Sequence, residues 1–420
     1  MLPGESGLSE SDTRGRGRGG SRSNRTTAAI DPDRTVRETD IDASVARLSA
    51  ISKNYIQDEY AELLMSCQYG GSQEMMIRRP PWVNIGTHHR TYLIDELVSS
   101  FLGPANHHQQ EQETKQVLSL GAGSDSRFWR LKSRFDREKS IWPNGRWVES
   151  DLQPTVTTKI EKIVSNEKLR QVCGKDPIVL RSDDPDPTSS SDRPPTELHS
   201  PRYSLFSTDL RRPTELVAKL SSPDPTSTTS GHSLLCPETP TLIIAELVFL
   251  YLSPTHTHTC LQSLVNYFRG PLMIICYEAL DLEDNFSKMM VQNLATRGLS
   301  MAGFEANRSI DSQIQRFKEH GFTEIVCTDI KALRTRSCPG NQKDGDPDEE
   351  EGEGWKARWS AELDRIRKLE FLDEVEELEL ILLHYALSWA RKNFILPSSS
   401  SSTTNATTTK STVGFYLPKF

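Results

Sequence analysis

Between Gln116 and Leu131 the residue pattern changes twice within QVLSLGAGSDSRFWRL, and this change limits what the remainder of the chain can fold into. Gln116 to Leu120 alternates and is β-prone, Gly121-Ala122-Gly123 lets a backbone turn sharply and approach a ligand closely, and a helical run with Phe128, Trp129 and Leu131 follows. A strand, a glycine turn and a helix start open a nucleotide-binding α/β unit, with ligand held at the mouth of the first strand. Two glycines after a strand are equally compatible with a plain tight turn.

The next segment favours the ligand-binding reading. Trp147-Val148-Glu149-Ser150-Asp151 reads as a second strand ending in a carboxylate, placed to accept hydrogen bonds from both ribose hydroxyls. Ser124, Asp125 and Ser126 follow the two glycines, so the third glycine of a dinucleotide fingerprint is missing and close approach to a pyrophosphate is not provided. A nucleoside without phosphates fits better, S-adenosylmethionine being the common one.

Strands and helices then alternate. Tyr203 to Leu210 reads as a third strand with Asp209 and Leu210 at its end, where an acid and an apolar neighbour meet an adenine's amine and face; a capping or turn aspartate is the competing view. Thr241 to Glu246 is a continuous apolar run of the kind that parallel strands buried on both faces show. A carboxylate at its end, Glu246, is costly if buried alone, so a cationic or hydrogen-bond-donating ligand is expected there. Pro271–Glu278, Phe322–Asp329 and His384–Ala390 supply further strands, the last antiparallel beside the sixth, and helices are expected over 155–169, 214–220, 310–320 and 355–376. Two helices precede the first strand as a lid. The first carries Ile41, Val45 and Leu48; Pro80-Pro81 interrupts, and the second carries Leu93, Leu97, Val98, Phe101 and Leu102. Lys53 and Arg90 are their candidate cations for a cofactor carboxylate, although either alone reads better as a surface charge. His256, His258 and Cys260 look superficially like metal ligands but fall in a helix start introduced by Ser253-Pro254, so no metal is expected.

The alternation specifies an α/β fold with a doubly wound, mostly parallel sheet and ligand at the carboxyl ends of strands one to four. Only 35% of the 420 residues are hydrophobic, and polar low-complexity tracts occupy about 183–201, 221–240 and 335–354. One domain over 39–395 is therefore expected, between a disordered tail at 1–38 and a Ser/Thr-rich tail at 396–420. The Arg14–Gly20 run admits an RNA-touching arm, but a solvated tail is the reading taken. A net charge of −8 gives no general footprint for nucleic acid or an anionic membrane. Seven cysteines without a CxxC pair indicate neither a disulfide framework nor a zinc site, which points to a reducing compartment. The apolar stretch Thr241–Leu252 falls short of a spanning helix and the N-terminus lacks a signal-peptide core, so a cytoplasmic or nuclear location is expected.

From about Ile41 to Lys392 the chain resembles the leucine carboxyl methyltransferases. The resemblance is carried, in order, by NIGTHHRTYLIDELVSSFL, LSLGAGSDSRFWRL, ESD, STDLR, IIAELVFLYLSP and RIRKLEFLDEVEELELILLHYALSWA. It implies a class I S-adenosylmethionine-dependent methyltransferase fold, Rossmann-like and seven-stranded, acting as a monomer on the C-terminal leucine carboxylate of the protein phosphatase 2A catalytic subunit. By the same resemblance, Lys53 and Arg90 contact the cofactor, Gly121 and Gly123 form the glycine turn, Asp151 holds the ribose, Asp209 and Leu210 meet the adenine, and Glu246 lies near the methionine portion. The three insertions lengthen loops without replacing matched positions.

A chain-terminal carboxyl has a reference pKa of about 3.5, so at neutral pH it is already the nucleophile and needs no general base. Positioning in a dry pocket is the expected source of rate, and Arg90 is the residue expected to supply it. Three alternatives stand beside this reading: the related methyltransferase of tRNA wybutosine synthesis, which carries a repeat propeller; a dinucleotide oxidoreductase; and a non-catalytic binding module that keeps the fold.

Overall fold

The computed structural model describes residues 33–65, 78–103, 114–140, 142–174, 176–181, 193–227, 232–336 and 352–394. Among the described residues nine strands form one sheet: β1 (Gln116–Leu120), β2 (Trp147–Asp151), β3 (Ile178–Arg181), β4 (Pro195–His199), β5 (Tyr203–Ser207), β6 (Thr241–Glu246), β7 (Leu272–Ala279), β8 (Glu324–Asp329) and β9 (Tyr385–Lys392). Their order is β3-β4-β5-β2-β1-β6-β7-β9-β8. The pairs from β5 through β7 are parallel, whereas β9 runs antiparallel between β7 and β8. The chain therefore turns to opposite sides of β1 in its two halves, and the crevice at such a reversal is where a doubly wound sheet binds its ligand.

Alternate residues along each central strand face two different cores. Val117, Leu242 and Ile244 pack on one side with Leu93, Leu97 and Phe101; Leu118, Leu120, Ile243 and Ala245 pack on the other with Leu261 and Leu264. Burial on both faces explains why β6 reads as an unbroken apolar run. The helices used below are α1 (Arg34–Ser52), α2 (Pro81–Leu102), α3 (Arg127–Arg137), α4 (Pro254–Tyr267), α5 (Gly352–Ile366) and α6 (Val375–Leu383).

Several sequence expectations change. Helix α1 begins at Arg34, inside the stretch read as a tail, and is tied down by Asp40, which accepts from the Ser124 amide at 2.8 Å. Pro80-Pro81 does separate the two helices, but the second, α2, begins at Pro81 itself rather than after the prolines, because Pro81 occupies the first helical position, where its missing N–H is not needed. Two strands join the expected seven at the sheet edge, and β4 lies inside the tract read as an insertion at 183–201. Its proline is its first residue, where no ladder donor is lost. Of the tract at 221–240, the described residues on the far side of 228–231 include Leu234 and Leu235, which are buried and donate from their amides to the carbonyls of Ser222 and Leu220. The helix read over 355–376 is two, α5 ending at Ile366 and α6 starting at Val375. Residues 1–32, most of 335–354 and the tail at 396–420 lie outside the described residues. Among the described residues no helix is long and apolar enough to cross a membrane.

Candidate active site

The glycine turn after β1 is built where only glycine fits. Gly121 and Gly123 adopt φ of +58° and +48°, the left-handed region that side chains rarely enter. A Cβ on Gly121 would stand 2.8 Å from Val248 Cγ2, and one on Gly123 only 2.4 Å from Asp40 Oδ1. The turn is thus closed on one side by the loop after β6 and on the other by α1.

Asp151 ends β2 beside this turn. Its Oδ2 accepts from the Gly123 amide at 2.7 Å and its Oδ1 from the Leu152 amide at 2.6 Å. Burial pushes its carboxyl up to about 6 despite those two donors. Asp209 follows β5 and accepts from the Arg211 amide and Nε at 2.9 and 2.8 Å; burial would raise its carboxyl, but these bonds hold it below its ordinary value. Leu210 beside it is buried with Leu118, Leu120 and Phe206. Asp151, Asp209 and Leu210 thus line up at the carboxyl ends of neighbouring strands, as the sequence led one to expect.

Glu246, at the end of β6, meets two arginines. Arg90 of α2 donates through Nε to Oε1, and Arg127, the first residue of α3, donates through Nη2 to Oε2 at 2.9 Å. Burial would raise the Glu246 carboxyl, yet Arg90 and Arg127 outweigh it and hold it below the usual range. Among the described residues Glu246 is the only hydrogen-bond partner of the Arg90 side chain, which leaves Nη1 and Nη2 to meet another acceptor. The guanidinium of Arg90 also lies 5.5 Å from the Tyr277 ring centroid, and Tyr277 stacks on Tyr385 with centroids 5.5 Å apart. Burial raises both phenols, as it raises Tyr251 to about 12, so all three are neutral at physiological pH.

The sequence did not single out Arg127, Asp95 or Asp125. Arg127 is fully buried and binds Asp95 through Nε at 2.9 Å, Asp125 through Nη1 and Glu246 through Nη2. A guanidinium surrounded by three carboxylates is stable in the interior only because every donor edge is used. The signal was present in part: Asp95 and Glu96 interrupt the apolar run YLIDELV, and of the two Asp95 is the one that is buried. Glu278 was missed too. It is 1% exposed and accepts from the amides of Val248, Phe249 and Leu250 at 3.1, 2.8 and 3.2 Å, which fixes the loop lying against Gly121.

Lys53 is placed differently. It sits half-buried in the turn ending α1, and among the described residues no hydrogen bond or ion pair joins it to this cluster. His256 lies in the first turn of α4, where its amide donates to the capping Ser253 Oγ at 3.3 Å.

The donor set suits a nucleoside linked to an amino acid: one carboxylate beside the glycine turn for a diol, an acid and an apolar side chain after β5 for a base, and an adjacent acid and arginine for a zwitterion. The family model for leucine carboxyl methyltransferase matches residues 35–265. Leucine carboxyl methyltransferase 1 of Cryptococcus neoformans is 35% identical over 88% of this chain and 96% of its own length. The protein of the same name from Emericella nidulans is 33% identical over 93% of each chain, and that from Bos taurus is 31% identical over 86% of this chain and 90% of its own. The cofactor is accordingly S-adenosylmethionine. This chain belongs to the leucine carboxyl methyltransferase family.

Proposed function

We propose that the protein methyl-esterifies the α-carboxylate of the C-terminal leucine of the protein phosphatase 2A catalytic subunit, and so regulates assembly of the phosphatase holoenzyme. It would do so in the cytoplasm, with the nucleus as a second compartment, and as a monomer. The observation that supports this most is the Arg90–Glu246 pair: an arginine with two unused Nη groups, held on one side by a carboxylate and bounded by neutral phenols.

In this reading Asp151 holds the ribose of the cofactor, Asp209 and Leu210 the adenine, and Glu246 the ammonium of its amino-acid end, with Lys53 and Arg90 toward that end's carboxylate. When bound, S-adenosylmethionine supplies a methyl group on a sulfonium. The chain's own part is positional. A terminal carboxylate is ionised at neutral pH and is itself the nucleophile, so no side chain need remove a proton. Arg90 orients the cofactor's carboxylate bidentately and so places the methyl group for the terminal carboxylate to attack, while Arg127 holds Glu246 and thereby fixes where Arg90 can lie. Holding the reacting atoms near attack distance in a site screened from water is a sufficient source of rate.

The test uses the full chain, methyl-labelled S-adenosylmethionine and the folded phosphatase catalytic subunit. Label released by mild base identifies an ester. Base-stable label would mark methylation of another atom, and label in tRNA would favour the wybutosine-type alternative.

A further inference from the structure

A second cleft, of about 390 Å³, lies between α2, α3, α5 and the Tyr55–Gln57 turn. Arg130, Arg134 and Arg137 line it from one face of α3, at spacings of four and three residues, and Arg365 reaches it from α5. Arg365 is fully engaged, bonded to the carbonyls of Asn54 and Tyr55 and to Glu362. Arg130 is held by Asp95 and Asp58. Arg134 is not balanced in this way. Its Nη2 donates to the neutral Ser99 hydroxyl, its Nε is buried without a partner, and among the described residues no carboxylate pairs with it. Arg137 is 66% exposed, and its one ion pair among the described residues, to Glu59, spans 3.5 Å.

An incompletely neutralised row of guanidinium groups beside the apolar floor of Leu131 and Tyr92 asks for anionic groups that are spaced along a chain. Seven residues of helix separate Arg130 from Arg137, about 10 Å, which matches carboxylates on a peptide better than a single compact anion. We propose that this cleft is a docking site for an acidic segment of polypeptide, and that the segment belongs to the protein substrate. The second clause rests on the function proposed above; binding of an acidic peptide does not. The cleft's Asp95 also bonds Arg127, so a docked segment lies against the same charge network that holds Glu246.

The test uses the full chain and a short fluorescein-labelled peptide of alternating glutamate and leucine, read by anisotropy, with its glutamine counterpart, inorganic phosphate and single-stranded RNA as competitors. The glutamate peptide should bind, weaken as salt rises, and lose about tenfold or more in affinity in Arg134→Glu and in Arg137→Glu. Arg134→Lys should bind nearly as wild type and controls for folding. In methyl transfer, both reversals should raise KM for the phosphatase subunit with kcat and calorimetric cofactor affinity unchanged. Glutamate-peptide binding that ignores the reversals, or phosphate or RNA occupying the cleft instead, would overturn the proposal. Absent methyl transfer with peptide binding intact would sink the proposed function and leave the peptide site standing.

Discussion

Arg90 and Arg127 donate to the same carboxylate, yet the structure assigns them different consequences on removal. In Arg90→Ala, Glu246 keeps its bond to Arg127 at 2.9 Å, so no buried charge is stranded. What is lost is one charge-assisted interaction worth about 1.5–3 kcal/mol, expressed where the cofactor's carboxylate is oriented. That converts to a roughly ten- to hundred-fold fall in kcat/KM, with a small change in Tm. In Arg127→Ala, by contrast, Asp95, Asp125 and Glu246 all lose a partner that is 0% exposed. Breaking such a buried arrangement costs about 3–5 kcal/mol, on the order of 10 °C in Tm. Methyl-transfer kinetics and differential scanning calorimetry on both variants decide the matter. Unchanged turnover in Arg90→Ala, or a Tm loss equal to that of Arg127→Ala, would refute the reasoning.

Three further outcomes follow from the same geometry. Asp151→Asn should weaken S-adenosylmethionine binding by about 1–3 kcal/mol in calorimetry. Because burial places the Asp151 carboxyl at about 6, wild-type cofactor affinity should decline as pH falls through that value, and the Asn variant should lose the dependence. The stability effect has the opposite sign: a carboxyl raised in the folded state binds more protons there than in the unfolded chain, so its contribution to stability falls as pH rises from 3.8 toward about 6. Gly123→Ala should abolish cofactor binding, since the new Cβ would meet Asp40 at 2.4 Å in a left-handed backbone, and adding Asp40→Ala should recover only the part due to overlap. Glu278→Gln places an amide donor among three backbone donors; it should lower Tm and raise KM for the cofactor through the loosened loop against Gly121, and an unchanged KM would remove that link.

How much of this was readable in the chain depends on whether the signal was local. The turn at Gly121 and Gly123 was legible because strand, glycine turn and helix start are contiguous, and β6 because an unbroken apolar run has few other uses. Asp151 and Glu246 were legible as strand-ending acids, and Asp209 because it follows β5 closely, although the strand stops at Ser207 rather than running on to Leu210. Arg127 was not, since its meaning arises only when α2 brings Asp95 and β6 brings Glu246 to it. The edge strands β3 and β4 escaped because β3 is largely exposed and shows no inward alternation, while β4 hides in a polar tract. The break after Ile366 carries neither Pro nor Gly at the turn. It is imposed by tertiary contacts, with Arg365 held by the carbonyls of Asn54 and Tyr55 and Glu370 accepting from Asn84 at 2.8 Å. Lys53, carried over by resemblance, makes no hydrogen bond or ion pair to this cluster among the described residues.

The most direct measurement compares methyl transfer to the intact phosphatase catalytic subunit with transfer to the same subunit lacking only its terminal leucine. Base-labile label on the intact subunit alone is the predicted result. Equal label on both, or none on either with S-adenosylmethionine still bound in calorimetry, would contradict the assignment of the C-terminal leucine carboxylate as the substrate.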